Sequence, residues 1–321
     1  MSIVVTGGAG FIGSCIVRTL NDMGEDDIII VDNINTSEKW INLRNKSYKE
    51  YIHKTDFLNR LPDLKGITHI IHMGACSSTM ENDFDYLYFN NFEYTKALWK
   101  YCTERQISFL YASSAATYGD GSLGFDDKMN IKQLLPLNRY GYSKQLFDLW
   151  VEKETDFPKQ QVGMKFFNVY GPNEYAKAGM ASVVYHGYQQ VKESGKVKLF
   201  KSYKDEYEDG GQLRDFLYVK DLCNVFQYFI KNSSINGLFN IGTGHAESFK
   251  TLGESIFKAL GIKSNIEYIA MPEALRSKYQ YYTKANIEKL REVGYNNNFY
   301  NLEKGSEDYV TNYLDAGMRI Y

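Results

Sequence analysis

The sequence predicts an α/β chain, a doubly wound parallel sheet with a smaller C-terminal lobe attached. Three observations carry this. Short β-branched runs alternate with longer helical patterns through the first half, a glycine-rich turn follows the first run directly, and the regular alternation lapses near Asn168. Alternation of strand and helix covers both faces of a parallel sheet with helices.

Candidate strands are Ile3–Thr6, Asp27–Val31, Thr68–Met73, Phe109–Ser113 and Gly163–Phe167, with helices at Phe11–Met23, Phe84–Arg105 and Arg139–Glu154 between them. In the last helix Tyr140, Lys144, Phe147, Asp148 and Val151 recur at helical spacing. Beyond residue 167 the pattern gives helices at Met180–Glu193, Leu222–Lys231 and Phe249–Leu260. Short strands at Lys198–Phe200, Asp215–Val219 and Leu238–Ile241 separate them, and a final helix covers Leu302–Leu314. The division expected is therefore a nucleotide-binding domain over 1–167 and a mainly substrate-binding lobe over 168–321, some of whose segments return to the main sheet. The polar run Tyr203 to Gln212 reads as a mobile surface loop.

A chain of 321 residues with 44% apolar content can fill a large core. A net charge of −2 gives no electrostatic reason to expect nucleic acid or an anionic membrane as partner. No apolar stretch approaches the ~20 residues needed to cross a bilayer. The chain opens into a strand with no basic or cleavable leader pattern, which predicts a cytoplasmic protein. Cys15, Cys76, Cys102 and Cys223 are scattered without C-x-x-C spacing, so neither disulfides nor a metal site is expected. His72 and His186 read as structural histidines rather than metal ligands.

The turn after the first strand, T-G-G-A-G-F-I-G at Thr6–Gly13, places Gly7, Gly10 and Gly13 where a backbone must turn tightly and approach a pyrophosphate at a helix N-terminus. Asp32, nineteen residues beyond Gly13 and ending the next strand, suits an adenosine ribose hydroxyl. Alone it favours NAD, because a carboxylate repels a 2′-phosphate; Lys39 and Lys54 downstream favour NADP, and the residues leave the choice open. Tyr140 and Lys144, four apart, share a helical face. The lysine charge stabilises a tyrosinate, and its ammonium can hold a nicotinamide ribose. Ser114, just past a strand end, can hydrogen-bond a reacting oxygen. Arg214 in R-D-F offers a planar guanidinium to a diphosphate.

In combination these motifs resemble the extended short-chain dehydrogenase/reductase superfamily, with its Rossmann sheet, over nearly the whole chain. Longer strings narrow the resemblance to the ADP-L-glycero-D-manno-heptose 6-epimerase family. They are G-A-C-S-S-T at Gly74–Thr79, F-L-Y-A-S-S-A-A-T-Y-G at Phe109–Gly119, Y-G-Y-S-K-x-L-F-D at Tyr140–Asp148, F-N-V-Y-G-P at Phe167–Pro172, M-A-S at Met180–Ser182, F-N-I-G-T-G at Phe239–Gly244 and A-E-S-F at Ala246–Phe249. The resemblance implies a nucleotide-sugar epimerase that oxidises C6 of an ADP-heptose with bound NADP and re-reduces it from the other face. It assigns the two proton-transfer roles to Tyr140 and Lys177. Cofactor contacts are implied for Phe11, Ile12, Asp32, Asn33, Lys39, Lys54, Met73, Gly74, Ala75, Cys76, Ser77, Asn90, Lys144, Val169 and Lys177. Contacts to the nucleotide sugar are implied for Asn168, His186, Phe200, Arg214 and Tyr279. A homo-oligomer is also implied, with a pentamer as one number it admits, and the product would feed lipopolysaccharide core synthesis. The chain departs from the family pattern at Gly179, at Phe200-Lys201-Ser202-Tyr203 with its longer acidic loop, and at Met73. The alternatives are another nucleotide-sugar 4-epimerase and a non-catalytic dinucleotide-binding protein. Dehydration is disfavoured because Ala115-Ala116 supplies no acid.

Overall fold

The computed structural model describes residues 1–276 and 279–321. Seven parallel strands form the main sheet: β1 (Ser2–Thr6), β2 (Ile28–Asp32), β3 (Glu50–His53), β4 (Ile67–His72), β5 (Ser108–Ser114), β6 (Gln161–Phe166) and a late strand, Gly237–Ile241, in the order Gly237–Ile241, β6, β5, β4, β1, β2, β3. Every residue of β1 is buried, as a central parallel strand requires. Ile3 and Val5 face one layer, packed with Ile16, Leu20, Phe226 and Phe229. Val4 faces the other, packed with Leu98, Trp99, Phe109 and Phe147. The helices are α1 (Phe11–Asp22), α2 (Lys54–Arg60), α3 (Phe84–Leu87), α4 (Tyr94–Arg105), α5 (Arg139–Val151), α6 (Val183–Ser194), α7 (Val219–Lys231) and α8 (Phe249–Ala259), of which α1 and α7 pack on the first face and α4 and α5 on the second. Strand order reverses between β1 and β4, which opens a crevice at their C-terminal ends.

Several elements differ from the sequence expectation. The single helix expected over Phe84–Arg105 is α3, a π-helical segment at Tyr88–Glu93, and α4. Apolar periodicity does not separate one wide turn from an α-turn. The wide turn aims Asn91 at the loop after β4, where its side chain accepts from the Cys76 N–H at 2.9 Å and donates to the Cys76 carbonyl at 3.0 Å. The strand expected at Asp215–Val219 is two short ones, Leu213–Arg214 and Phe216–Tyr218, and α7 begins three residues before the expected Leu222. Asp215 lies between them, fully buried, accepting N–H bonds from Thr243 (2.8 Å), Gly244 (3.0 Å) and Ala285 (3.0 Å). The helix expected from Met180 starts at Val183, because the Ser182 hydroxyl caps it by accepting from the Tyr185 N–H.

Short strands at Asn168–Tyr170 and Ile266–Ile269 were not evident from periodicity. The first pairs with Phe216–Tyr218, the second with Val197–Phe200. The run Tyr203 to Gln212 lies at the surface but is anchored at its end, where the buried Gln212 amide donates to the Phe200 and Lys201 carbonyls. Among the described residues no helix is long and apolar enough to cross a membrane, and no cluster of His, Cys, Asp or Glu could hold a metal ion. All four cysteines are free.

The glycine turn leaves no room for side chains. Gly7 has φ +67°, and a Cβ there would lie 2.7 Å from the Gly74 nitrogen; one at Gly13 would lie 2.1 Å from the Gly7 carbonyl oxygen. Gly13→Ala is therefore expected to destabilise the fold by ~1–3 kcal/mol, read as a lowered Tm, and to weaken dinucleotide binding measured by calorimetry.

Candidate active site

The C-terminal ends of β1, β2, β4, β5 and β6 enclose a cavity of about 440 Å³. Its wall includes Gly7, Gly10, Phe11, Ile12, Gly13, Asp32, Asn33, Lys39, Lys54, Met73, Gly74, Ala75, Cys76, Ser77, Asn90 and Val169, and also Ser114, Tyr140, Lys144 and Lys177. The predicted dinucleotide contacts and proton-transfer residues thus share one space. Sequence reasoning missed Tyr86 and Tyr94, which also line it. Their only sequence signal was membership of an aromatic-rich helical run.

At one end of the cavity α1 starts at Phe11 with Gly10 before it and no side-chain cap, leaving its first N–H groups free for an anion. Asp32 organises this end. Its Oδ2 accepts from the Ala9 N–H at 2.9 Å, and its Oδ1 accepts from the Asn33 N–H at 2.7 Å and Lys39 Nζ at 2.6 Å. Lys54 Nζ donates to Asn90 Oδ1 at 2.9 Å, and its ammonium stands 5.9 Å from the Tyr86 ring centre. A side-chain-free cradle at a helix start, beside a buried carboxylate, fits a dinucleotide pyrophosphate and ribose.

At the other end, Asn138 caps α5 by accepting from the Gly141 N–H at 2.8 Å, which sets Tyr140 and Lys144 one turn apart on the cavity side. Lys144 Nζ donates to the Ala112 carbonyl at 3.0 Å. Burial lowers this ammonium to about 8, against the pull of Asp148 and Cys76. Burial raises the Tyr140 phenol, and the neighbouring Ser114 hydroxyl works against that rise. An upward shift is the wrong direction for a base at neutral pH, so a base role would need a nearby positive charge to oppose it. Ser114 ends β5, and its Oγ accepts from the Ala116 N–H at 3.1 Å.

Lys177 sits on the 3₁₀ segment Tyr175–Met180, its ammonium 5.3 Å from the centre of the Phe11 ring. Burial lowers it, while Glu174 holds it up. The next residue, Ala178, has φ 48° and ψ −131°, a conformation that L side chains rarely adopt. Beneath the floor, His72 is 1% exposed, with Nδ1 2.6 Å from Thr6 Oγ1 and Nε2 2.9 Å from Thr95 Oγ1. Burial pushes it down to about 3, which leaves it a neutral structural bridge.

The remaining predicted substrate residues, Asn168, His186, Phe200, Arg214 and Tyr279, are not part of this wall. Arg214, Phe200 and Tyr279 form their own cluster. The guanidinium carbon lies 5.1 Å from the Tyr279 ring centre, and the Phe200 and Tyr279 rings meet edge-on at 6.4 Å. Arg214 is buried and donates to the Leu213 and Gln280 carbonyls. Among the described residues it pairs with no carboxylate. Asn168 is exposed, and His186 is half-buried on α6 against Tyr185.

A glycine cradle and a Tyr/Lys helix facing one cavity define a class of dinucleotide-binding proteins. Residues 3–242 match the NAD dependent epimerase/dehydratase family, and the chain belongs to it. Within that family it is similar to proteins named ADP-L-glycero-D-manno-heptose-6-epimerase. It is 50% identical to one from Fusobacterium nucleatum, covering 97% of this chain and 98% of that one. It is 50% identical to one from Nitratidesulfovibrio vulgaris, covering 98% of each. The crystal structure of the protein so named from Helicobacter pylori overlays with a TM-score of 0.80 at 27% identity, covering 97% of this chain and 95% of that one. The UDP-glucose 4-epimerase structure from Thermotoga maritima, at 22% identity and a TM-score of 0.81 over 99% of this chain and 100% of that one, shares the fold.

Because the Lys144 ammonium releases its proton near 8, far below the ordinary 10.5, any step that needs its charge weakens as pH rises through that value. The pH profile of kcat/KM is expected to show an alkaline limb near 8; a profile flat to pH 10 would contradict the assignment.

Proposed function

We propose that the protein is an isomerase that inverts C6 of ADP-D-glycero-D-manno-heptose to give ADP-L-glycero-D-manno-heptose. The carrying observation is one cavity that joins a dinucleotide cradle to Tyr140, Lys144 and Ser114, with Lys177 also on its wall. When bound, a nicotinamide dinucleotide would supply transient hydride storage. Tyr140 takes the hydroxyl proton at C6 as the secondary alcohol becomes a ketone, and Ser114 donates a hydrogen bond to the same oxygen. Lys144 would hold the nicotinamide ribose and, by its charge, would favour the phenolate. For re-reduction from the opposite face a second proton donor is needed, and Lys177 is assigned that role. Its lowered ammonium gives up a proton more readily than that of an exposed lysine.

Arg214, buried without a carboxylate partner among the described residues, is assigned to the substrate diphosphate, with Tyr279 and Phe200 beside it. His186 and Asn168 are assigned to the sugar side. NADP is the proposed cofactor. The Lys39 ammonium neutralises Asp32, so that carboxylate no longer repels a 2′-phosphate, and Lys54 adds a second cation on the wall.

Incubation with ADP-D-glycero-D-manno-heptose, followed by NMR at C6, is expected to show conversion. No conversion there, with turnover of a UDP-sugar, would overturn the substrate. Tyr140→Phe is expected to keep cofactor binding and lose activity by ~10²–10⁴-fold. Lys39→Ala is expected to weaken NADP about tenfold more than NAD in calorimetric titrations; equal losses would remove Lys39 from phosphate recognition.

A further inference from the structure

Behind the cavity wall lies a buried charged network with no part in the mechanism above. Asp148 follows Lys144 by one turn of α5, so Tyr140, Lys144 and Asp148 form one stripe at spacing four. Asp148 is 2% exposed. Its Oδ2 accepts from Lys165 Nζ of β6 at 2.7 Å and from the Ser113 hydroxyl of β5 at 2.8 Å, while its Oδ1 is buried without a partner among the described residues. Lys165 is 1% exposed and also donates to Thr117 Oγ1 at 2.6 Å. The Thr117 hydroxyl in turn donates to the Ser114 carbonyl at 2.8 Å. Ser114 is therefore held from both sides, through the side chain of the residue before it and through its own carbonyl.

We propose that Asp148 is a positioning residue for this reaction: paired with Lys165, it ties the Tyr140/Lys144 helix to the Ser114 strand end and sets its carboxylate one turn behind the Lys144 ammonium. The proposal rests on the reading that Tyr140, Lys144 and Ser114 carry proton transfer. A buried ion pair is a poor source of stability compared with apolar packing, so its presence directly behind the reacting groups calls for another reason. The groups facing Lys144 from the surrounding elements are Cys76 in the loop after β4, His72 on β4, and Tyr140 and Asp148 on its own helix, with Lys165 across Asp148. His72 is neutral and Lys165 is positive, so the carboxylate of Asp148 is the nearby charge that favours a protonated Lys144.

The test uses the full chain labelled with [ε-¹³C]lysine, with Lys144→Met assigning the resonance. In Asp148→Asn the Lys144 titration is expected to move down by about one unit, a tenfold change in its charge ratio. The alkaline limb of turnover should follow it, with kcat falling more than KM rises. Removing one partner also strands a buried charge, so the double variant Asp148→Asn with Lys165→Met is measured beside it; that change recovers Tm by removing both charges. In the double variant Lys144 is still expected to titrate below the unsubstituted protein. If Lys144 titration and turnover both return to normal once Tm recovers, the network is structural only and the proposal is wrong. An unchanged Lys144 titration in Asp148→Asn overturns it as well. Failure of the substrate assignment would appear separately, as an unsubstituted protein that does not convert the heptose while its Lys144 titration still responds to Asp148.

Discussion

The structure depends on a close approach of two backbone turns, one after β1 and one after β4, at the place where strand order reverses. The Gly74 N–H donates to Thr6 Oγ1 at 3.1 Å, and a side chain at Gly7 would collide with Gly74. Backbone contact at this distance fixes the depth of the crevice. His72 secures it from below by bridging Thr6 to Thr95 of α4 as a neutral ring. Everything placed around the cavity takes its position from those two strand ends, including the start of α1 and the loop that carries Cys76.

The parts of the fold that could be read in the sequence are those where a residue type is demanded locally. Glycines at the turn, a carboxylate ending the second strand, and Tyr140 with Lys144 on one helical face each leave a spacing that sequence alone displays. The parts that could not be read depend on partners distant in the chain. Lys165 looks like any lysine in an apolar strand until α5 brings Asp148 against it. The widened turn at Tyr88–Glu93 shares the apolar spacing of the helix around it. Beyond residue 167 the strands at Val197–Phe200 and Gly237–Ile241 were legible, whereas Asn168–Tyr170 and Ile266–Ile269 are too brief for alternation to register. Lys177 and Tyr279 carry no local signal, and only the resemblance of whole strings nominated them.

Charge is distributed unequally between the two ends of the cavity. At the end beside the glycine turn, Asp32 is satisfied by two backbone N–H groups and one ammonium, which ties the turn to the loop after β2. At the end lined by Tyr140 and Lys144, burial shifts the phenol up and the ammonium down, each towards its uncharged form. An end built this way responds strongly to a charge introduced beside it, because little water remains to screen the field.

The strand Gly237–Ile241 pairs with β6 although some seventy residues of the second lobe lie between them in the chain. During synthesis, β6 therefore leaves the ribosome as an unprotected sheet edge, and it stays so until much of the second lobe has been made. Unpaired edges of this kind recruit other chains. The protein's ability to reach its native state in the cell is thus tied to how quickly that late segment arrives, and a fragment ending before it would be prone to self-association even with every residue of the glycine turn in place.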